Sequence, residues 1–186
     1  VYMEKDYAVD DAFIDMVRSA LIDGGLPVVE LGGNHHLNNR NKSVGGQLAV
    51  DIERMLNHEL GEDETRHLPA VRQDKRGRRF LDAGSVKIAT SGSAGQSYGA
   101  FCNDGMMLSH TGTCNDGVGK SANGGTTSVR SPGGGSLEAG GNVLIGNFVL
   151  FGATGGRLFA EGQAGDRIAV RNSGFTAVVE GVGHFC

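Results

Sequence analysis

The chain predicts a mainly β fold: a glycine-rich parallel solenoid over residues 85–186, preceded over 1–84 by a small α/β segment with two helices. Three observations predict it. Glycine supplies 32 of the 186 residues, far above the ordinary share of about 7%. The glycines recur on a frame: Gly92, Gly99 and Gly105 are followed twenty residues later by Gly112, Gly119 and Gly125. Such self-similarity marks coils that stack on one another. Between the glycines lie apolar runs too short for a helix: Val143–Ile145, Phe148–Phe151, Ile168–Val170 and Ala177–Val179. Each reads as one strand of a coil.

The elements follow in order. Asp10 or Asp11 is placed to cap a first helix whose Phe13, Val17, Ala20 and Leu21 share a face. Gly24-Gly25 ends it. A short strand over Leu26–Leu31 stops at Gly32-Gly33, and the polar run from Asn34 to Lys42 reads as a loop carrying His35 and His36. Ser43 is a candidate start for the second helix, whose Leu48, Ile52, Met55 and Leu56 form an apolar face ending near Leu60-Gly61. Residues 62–83 are charged, contain Pro69 and Gly77, and read as an exposed, partly mobile excursion. From Ser85, Val86 and Ile88 alternate with polar residues as a strand does. Further on, Gly156 is matched with Gly174 and Gly162 with Gly181. The two helices are expected to cover the open end of the stack, where strand edges would be unpaired.

Composition excludes several classes. A net charge of −4 and a pI near 5.8 speak against nucleic-acid binding. No apolar stretch approaches the roughly 20 residues of a membrane span. The opening segment has neither signal-peptide nor transit-peptide character, and because residue 1 is Val the chain reads as part of something longer. Three cysteines, Cys102, Cys114 and Cys186, make no disulfide framework, so a reduced, cytoplasmic setting is expected.

Candidate chemistry is sparse, and no catalytic, cofactor-binding or metal-binding residue is assigned. The repeated Cys102-Asn-Asp-Gly105 and Cys114-Asn-Asp-Gly117 offers a thiolate pair for a metal, but Asn-Asp-Gly is also corner chemistry and Cys packs well inside. The corner reading is favoured, because structural zinc sites space their cysteines more closely. Gly117-Val-Gly-Lys-Ser121 imitates a phosphate loop, but Thr113 stands where its first glycine belongs and no helix follows. Asp166, Arg167 and Arg171 suit a carbohydrate lyase in type, with a structural Asp166–Arg167 salt bridge the better reading. Asn172 is expected to be buried in a corner, bonding otherwise unpaired backbone groups. His58, His67, His110 and His184 are scattered.

These motifs carry a resemblance. Gly92-Ser-Ala-Gly-Gln-Ser-Tyr-Gly-Ala-Phe101 resembles the opening signature of the GXGXG domain at the C-terminal end of the glutamate synthase large subunit. Asp116-Gly-Val-Gly-Lys120, Ile145-Gly-Asn147, Phe151-Gly-Ala-Thr-Gly-Gly156, Ala169-Val-Arg-Asn-Ser-Gly174 and Val178-Val-Glu-Gly-Val-Gly183 follow in the same order. Asn41–Ala49 resembles the lead-in helix of that domain, and residues 62–83 are the main departure.

The resemblance implies a right-handed parallel β-helix that is a non-catalytic scaffold. It would sit between a glutamine amidotransferase part and a flavin-bearing synthase part, with FMN and an iron–sulfur cluster on those partners and none on this chain. Related β-helices serve as subunits of N-methylglutamate synthase and formylmethanofuran dehydrogenase. A freestanding assembly protein, alone or as a homo-oligomer, is the alternative.

Overall fold

The computed structural model describes residues 8–133 and 141–186; the opening residues used in the leader-peptide reading lie outside this range up to residue 7. The described chain is mainly parallel β-sheet with few helices. None of those helices is long and apolar enough to cross a membrane.

Helix α1 (Ala8–Val17) runs into a π-helical turn over Arg18–Asp23. Phe13, Val17 and Leu21 are buried on its inner face, as helical spacing requires. Gly24 closes it by donating to the Ser19 carbonyl at 2.9 Å, and Gly25 takes φ +61°. The expected cap is not where the sequence put it. The helix already includes Ala8, so Asp10 and Asp11 lie inside its start. Asp10 instead serves a different helix, α2 (Gly46–Arg54), accepting from the N–H groups of Gly45 at 2.9 Å and Leu48 at 3.0 Å. Helix α2 continues as a π-helical turn over Met55–Glu59, and its Leu48, Ile52, Met55 and Leu56 are buried as expected. It starts at Gly46, not Ser43, whose carbonyl accepts from the Gly46 N–H.

Strand β1 is Val29–Leu37, later and longer than the expected 26–31. Gly32-Gly33 does not end it but makes a bulge, after which the strand resumes through His35 and His36. Gly32 has φ +94°, and a Cβ there would collide with the Ala89 carbonyl of the next strand. Only glycine fits that close approach.

The excursion at 62–83 is a folded element rather than a loose loop: a helical turn, α3 (Glu62–Thr65), then an antiparallel hairpin of β2 (Val71–Gln73) and β3 (Arg79–Leu81). The Asp74 carboxylate accepts from Arg76 and Arg78 N–H groups to form the turn. Asn57 holds both backbone groups of Arg79, donating at 2.9 Å and accepting at 2.8 Å. Arg78 bonds both oxygens of Glu53 and one of Asp104, tying the hairpin to α2 and to the sheet.

The remaining strands are β4 (Val86–Ala94), β5 (Met106–Cys114), β6 (Asn123–Arg130), β7 (Val143–Ile145), β8 (Gly155–Ala164) and β9 (Thr176–Val182). Strands β1, β4, β5, β6, β8 and β9 lie side by side in that order, all parallel. Strands β4 and β5 pair from Val86↔Met106 to Ala94↔Cys114, so the twenty-residue frame read from Gly92 and Gly112 is the actual register. Alternate residues of β5, namely Met106, Leu108, His110, Gly112 and Cys114, face inward. Ile88, Leu108, Thr127 and Leu158 form one inward column. Each fully buried Leu or Ile in it contributes about 1.5–3 kcal/mol. The later glycine pairings slip by one residue: Gly181 faces Gln163, and Arg157 faces Thr176.

Two of the four apolar runs are strands, in β7 and β9. Phe148–Phe151 and Ile168–Val170 are not. They belong to a corner in which every second residue has φ in the left-handed region: Ser97, Gly99 and Phe101; Gly117, Gly119 and Ser121; Phe148, Leu150 and Gly152; Arg167, Ala169 and Arg171. The alternation points successive N–H groups up and down the stack. Ser97 donates to Asp116 above, Gly99 to Val44 below, and Phe101 to Lys120 above. The next corner repeats this, with Gly117 donating to Asn147, Gly119 to Tyr98 and Ser121 to Phe151.

This corner geometry predicts two opposite effects. Ala169→Gly should raise stability by about 0.5–1 kcal/mol, because alanine at φ +60° is strained where glycine is not. Gly119→Ala should lower it by about 1–3 kcal/mol, since the new Cβ meets the Leu150 side chain. Denaturant midpoints of the two variants check both.

Candidate functional site

The same corner carries a second ladder, made of side chains. Asp116 Oδ1 accepts from the Asn147 N–H at 2.8 Å, Asn147 Oδ1 from the Asp166 N–H at 2.8 Å, and Asp166 Oδ1 from the His184 N–H at 2.7 Å. Asp166 is thus bound to backbone in the turn above, where the sequence suggested a salt bridge to Arg167. Asn172 does close a corner, donating to the Phe175 carbonyl and accepting from the Gly174 and Phe175 N–H groups, though it is half-buried rather than buried.

At the bottom of the stack the backbone ladder ends on Asp10. Ser43, Val44 and Gly45 occupy the place of Ser97, Tyr98 and Gly99 one turn below, since Ser43 donates to the Gln96 carbonyl and Gly99 to the Val44 carbonyl. Gly45 has no lower turn to donate to, and the buried Asp10 carboxylate takes that bond. Burial pushes the Asp10 carboxyl up from its ordinary value, against the lowering effect of the N–H groups it accepts from.

Inside the stack lies a polar chain that scattered histidines in the sequence did not reveal. Thr90 Oγ1 is 3.0 Å from the Tyr98 hydroxyl and 2.9 Å from His110 Nδ1, and all three side chains are buried. His110 Nε2 is 3.1 Å from two carbonyls, Gly92 and Thr113. Carbonyls only accept, so Nε2 carries the proton and Nδ1 accepts from Thr90, which accepts from Tyr98. Burial holds the His110 pKa below its ordinary 6.5 and raises that of Tyr98. The signal for His110 was its inward place in the β5 alternation.

The other candidates are dispersed. Cys102 and Cys114 are both buried, the first with its thiol pushed up to about 12 and the second also raised, as burial disfavours a thiolate. Asn103 of the first tetrapeptide donates to the Ala49 carbonyl, Asp104 receives Arg78, and Asn115 accepts from the Asp116 N–H. His35 and His36 lie in strand β1 instead of a loop, where neighbours point to opposite faces; His35 bonds the Gly32 carbonyl and packs against Phe13 with the rings tilted by 60°. The phosphate-loop mimic is a corner, and the N–H groups of Gly117, Gly119 and Ser121 are used between turns. Among the described residues no three His, Cys, Asp or Glu side chains converge on a metal-sized point. A groove of about 710 Å³ crosses the turns at Gly105, Gly125 and Gly156, with Arg157 beside it. Its acids Asp82 and Asp104 already pair with Arg72 and Arg78.

Several large apolar side chains face outward. Phe101, Phe148, Phe151 and Phe185 are exposed on the corner, and Met107, Phe159 and Val178 on the sheet. Lys120, Phe148, Phe151, Arg167 and Val170 line a cleft of about 300 Å³.

The family model of the GXGXG motif matches residues 67–186. The glutamate synthase [NADPH] large chain of Azospirillum brasilense is 54% identical over 103 residues, which cover 55% of this chain and 7% of that protein. The ferredoxin-dependent glutamate synthase of Pyropia yezoensis is 54% identical over 104 residues, 55% of this chain and 7% of its own length. The ferredoxin-dependent glutamate synthase 2 of Synechocystis sp. (strain ATCC 27184 / PCC 6803 / Kazusa) is 42% identical over 148 residues, 73% of this chain and 9% of its own. The match spans under a tenth of each relative's length.

Two measurements test the interior chain. Thr90→Val leaves the Tyr98 hydroxyl and His110 Nδ1 without their partner, and should cost about 1–3 kcal/mol in a denaturant titration. His110 has a folded pKa below 6.5, so an unfolded His110 takes up its proton first as pH falls. Its contribution is complete above pH 6.5 and declines from there towards the folded pKa. His110→Gln should flatten that part of the stability–pH curve; an unchanged slope would assign it to another group.

Proposed function

The chain belongs to the GXGXG motif family, and on that footing we propose that it is the non-catalytic scaffold of a glutamate-synthase-type enzyme. Its repeats wind as a right-handed parallel β-helix. The glutamine amidotransferase part and the flavin-bearing synthase part, with FMN and an iron–sulfur cluster, flank it and carry the chemistry. The scaffold keeps them at a fixed separation so that ammonia released at one reaches the other before it escapes. The setting is the cytoplasm.

One observation carries this reading: His110, Cys102, Cys114, Asp116 and Asp166 are committed inward or to backbone, whereas several phenylalanines face out. The His110 chain is closed on itself, and Cys102 and Cys114 are buried. Asp116 and Asp166 hold the turns together. Phe148, Phe151, Phe159 and Val178 meanwhile stand exposed, the pattern of surfaces that other protein covers. A stack of this depth spans about 24 Å at the usual spacing of parallel strands. It is stiff because both its strands and its corner are bonded from turn to turn.

The test is a native mass spectrum and a visible absorption scan of the protein isolated gently from its source through a tag on this segment. An assembly many times the mass of this segment, with flavin and iron–sulfur absorbance, is the expected result. A colourless species at the mass of this chain or a small multiple would overturn it and favour a freestanding assembly module.

A further inference from the structure

The outward side of the alternating corner combines exposed aromatic rings with exposed cations. Phe148 and Arg167 stack as successive turns of one column, because Phe148 donates to the Asp166 carbonyl and Arg167 to His184. Lys120, Phe151 and Val170 occupy the neighbouring column, linked through Ser121 and Gly152. The columns enclose the cleft lined by Lys120, Phe148, Phe151, Arg167 and Val170. Arg171 follows beside it, and Phe101 lies lower on the same side.

The face is cationic. Lys120, Arg167 and Arg171 are exposed and carry no ion pair among the described residues. The chain as a whole is acidic, with a net charge of −4, so three unpaired cations on one corner are a local feature. The nearest acids in the chain, Asp116 and Asp166, are tied by hydrogen bonds to the next turn's backbone. Two cations flanking a cleft walled by aromatic rings match a carboxylate next to an apolar side chain.

We propose that this corner face seats an acidic segment of a partner polypeptide, its carboxylates held by Lys120 and Arg167 and an apolar side chain lodged between Phe148 and Phe151. The inference rests on the scaffold reading and gives it a docking surface. Aromatic residues and arginine are enriched at interface centres. Val170 and the two rings form the apolar floor, and Arg171 extends the charged rim.

Hydroxyl-radical footprinting of the assembly isolated from its source tests this. Phe148 and Phe151, 42% and 38% exposed on the chain itself, should be oxidised in the assembly well below the share of the denatured-protein rate that this exposure allows. Lys120→Glu with Arg167→Glu should abolish that protection, and Lys120→Gln with Arg167→Gln should weaken it. Phe159, 43% exposed on the sheet face, should not respond to either pair. Oxidation of Phe148 and Phe151 in the unmodified assembly at the share of the denatured rate that their own exposure allows overturns the proposal. So does protection that survives charge reversal, or a response spread equally to Phe159. A native mass equal to the chain alone would instead remove the scaffold reading, and the docking surface with it.

Discussion

Everything above the first helix depends on one arrangement: a corner whose residues alternate between left-handed and ordinary backbone, so that N–H groups point alternately to the turn above and the turn below. A β-strand ladder stops where strands bend, and bends usually leave backbone groups for water or side chains to satisfy. Here the ladder continues through the bend, from Ser97 to Asp116, Gly119 to Tyr98, and Gly152 to Val170. The Asp116, Asn147 and Asp166 side chains add a second bond at each step. The same requirement explains Asp10. A ladder that faces both ways must end somewhere, and at the lowest turn a buried carboxylate replaces the missing carbonyl and caps α2 as well.

The alternation also explains what fills the interior. Left-handed positions that point inward are Gly45, Gly99 and Gly119 in the lower turns, and Leu150 and Ala169 above. Leu150 packs where a Cβ on Gly119 would have been. Glycine below and leucine above therefore form one complementary pair, and neither residue is chosen independently. On the sheet side the space holds the closed chain of Tyr98, Thr90 and His110, which fills the interior while leaving each polar atom a partner.

An interior this committed leaves function to the outside. Among the exposed large apolar side chains, one group lies on the corner with its phenylalanines and cations and another on the sheet with Met107, Phe159 and Val178. The folded hairpin at 71–81, fixed by Arg78 to both α2 and Asp104, joins the lead-in segment to the stack.

Periodicity in the sequence was enough for the mainly β character, the parallel twenty-residue register of Gly92 and Gly112, the buried faces of both helices, and the corner role of Asn172. Those depend on local spacing and on residues that few conformations suit. The repeat became hard to follow beyond Gly125 because the Asp116–Asn147 step is 31 residues long where the next step is 19. Apolar runs at 148–151 and 168–170 could not be told from strands, since non-glycine residues in a left-handed conformation look like any others. Only the tertiary structure decided that Asp10 caps a distant helix, that Gly32-Gly33 is a bulge, that His110 closes a buried chain, and that four phenylalanines emerge on one corner. Each of these depends on a neighbour supplied by another turn, and contacts between turns are not written in any one stretch of sequence.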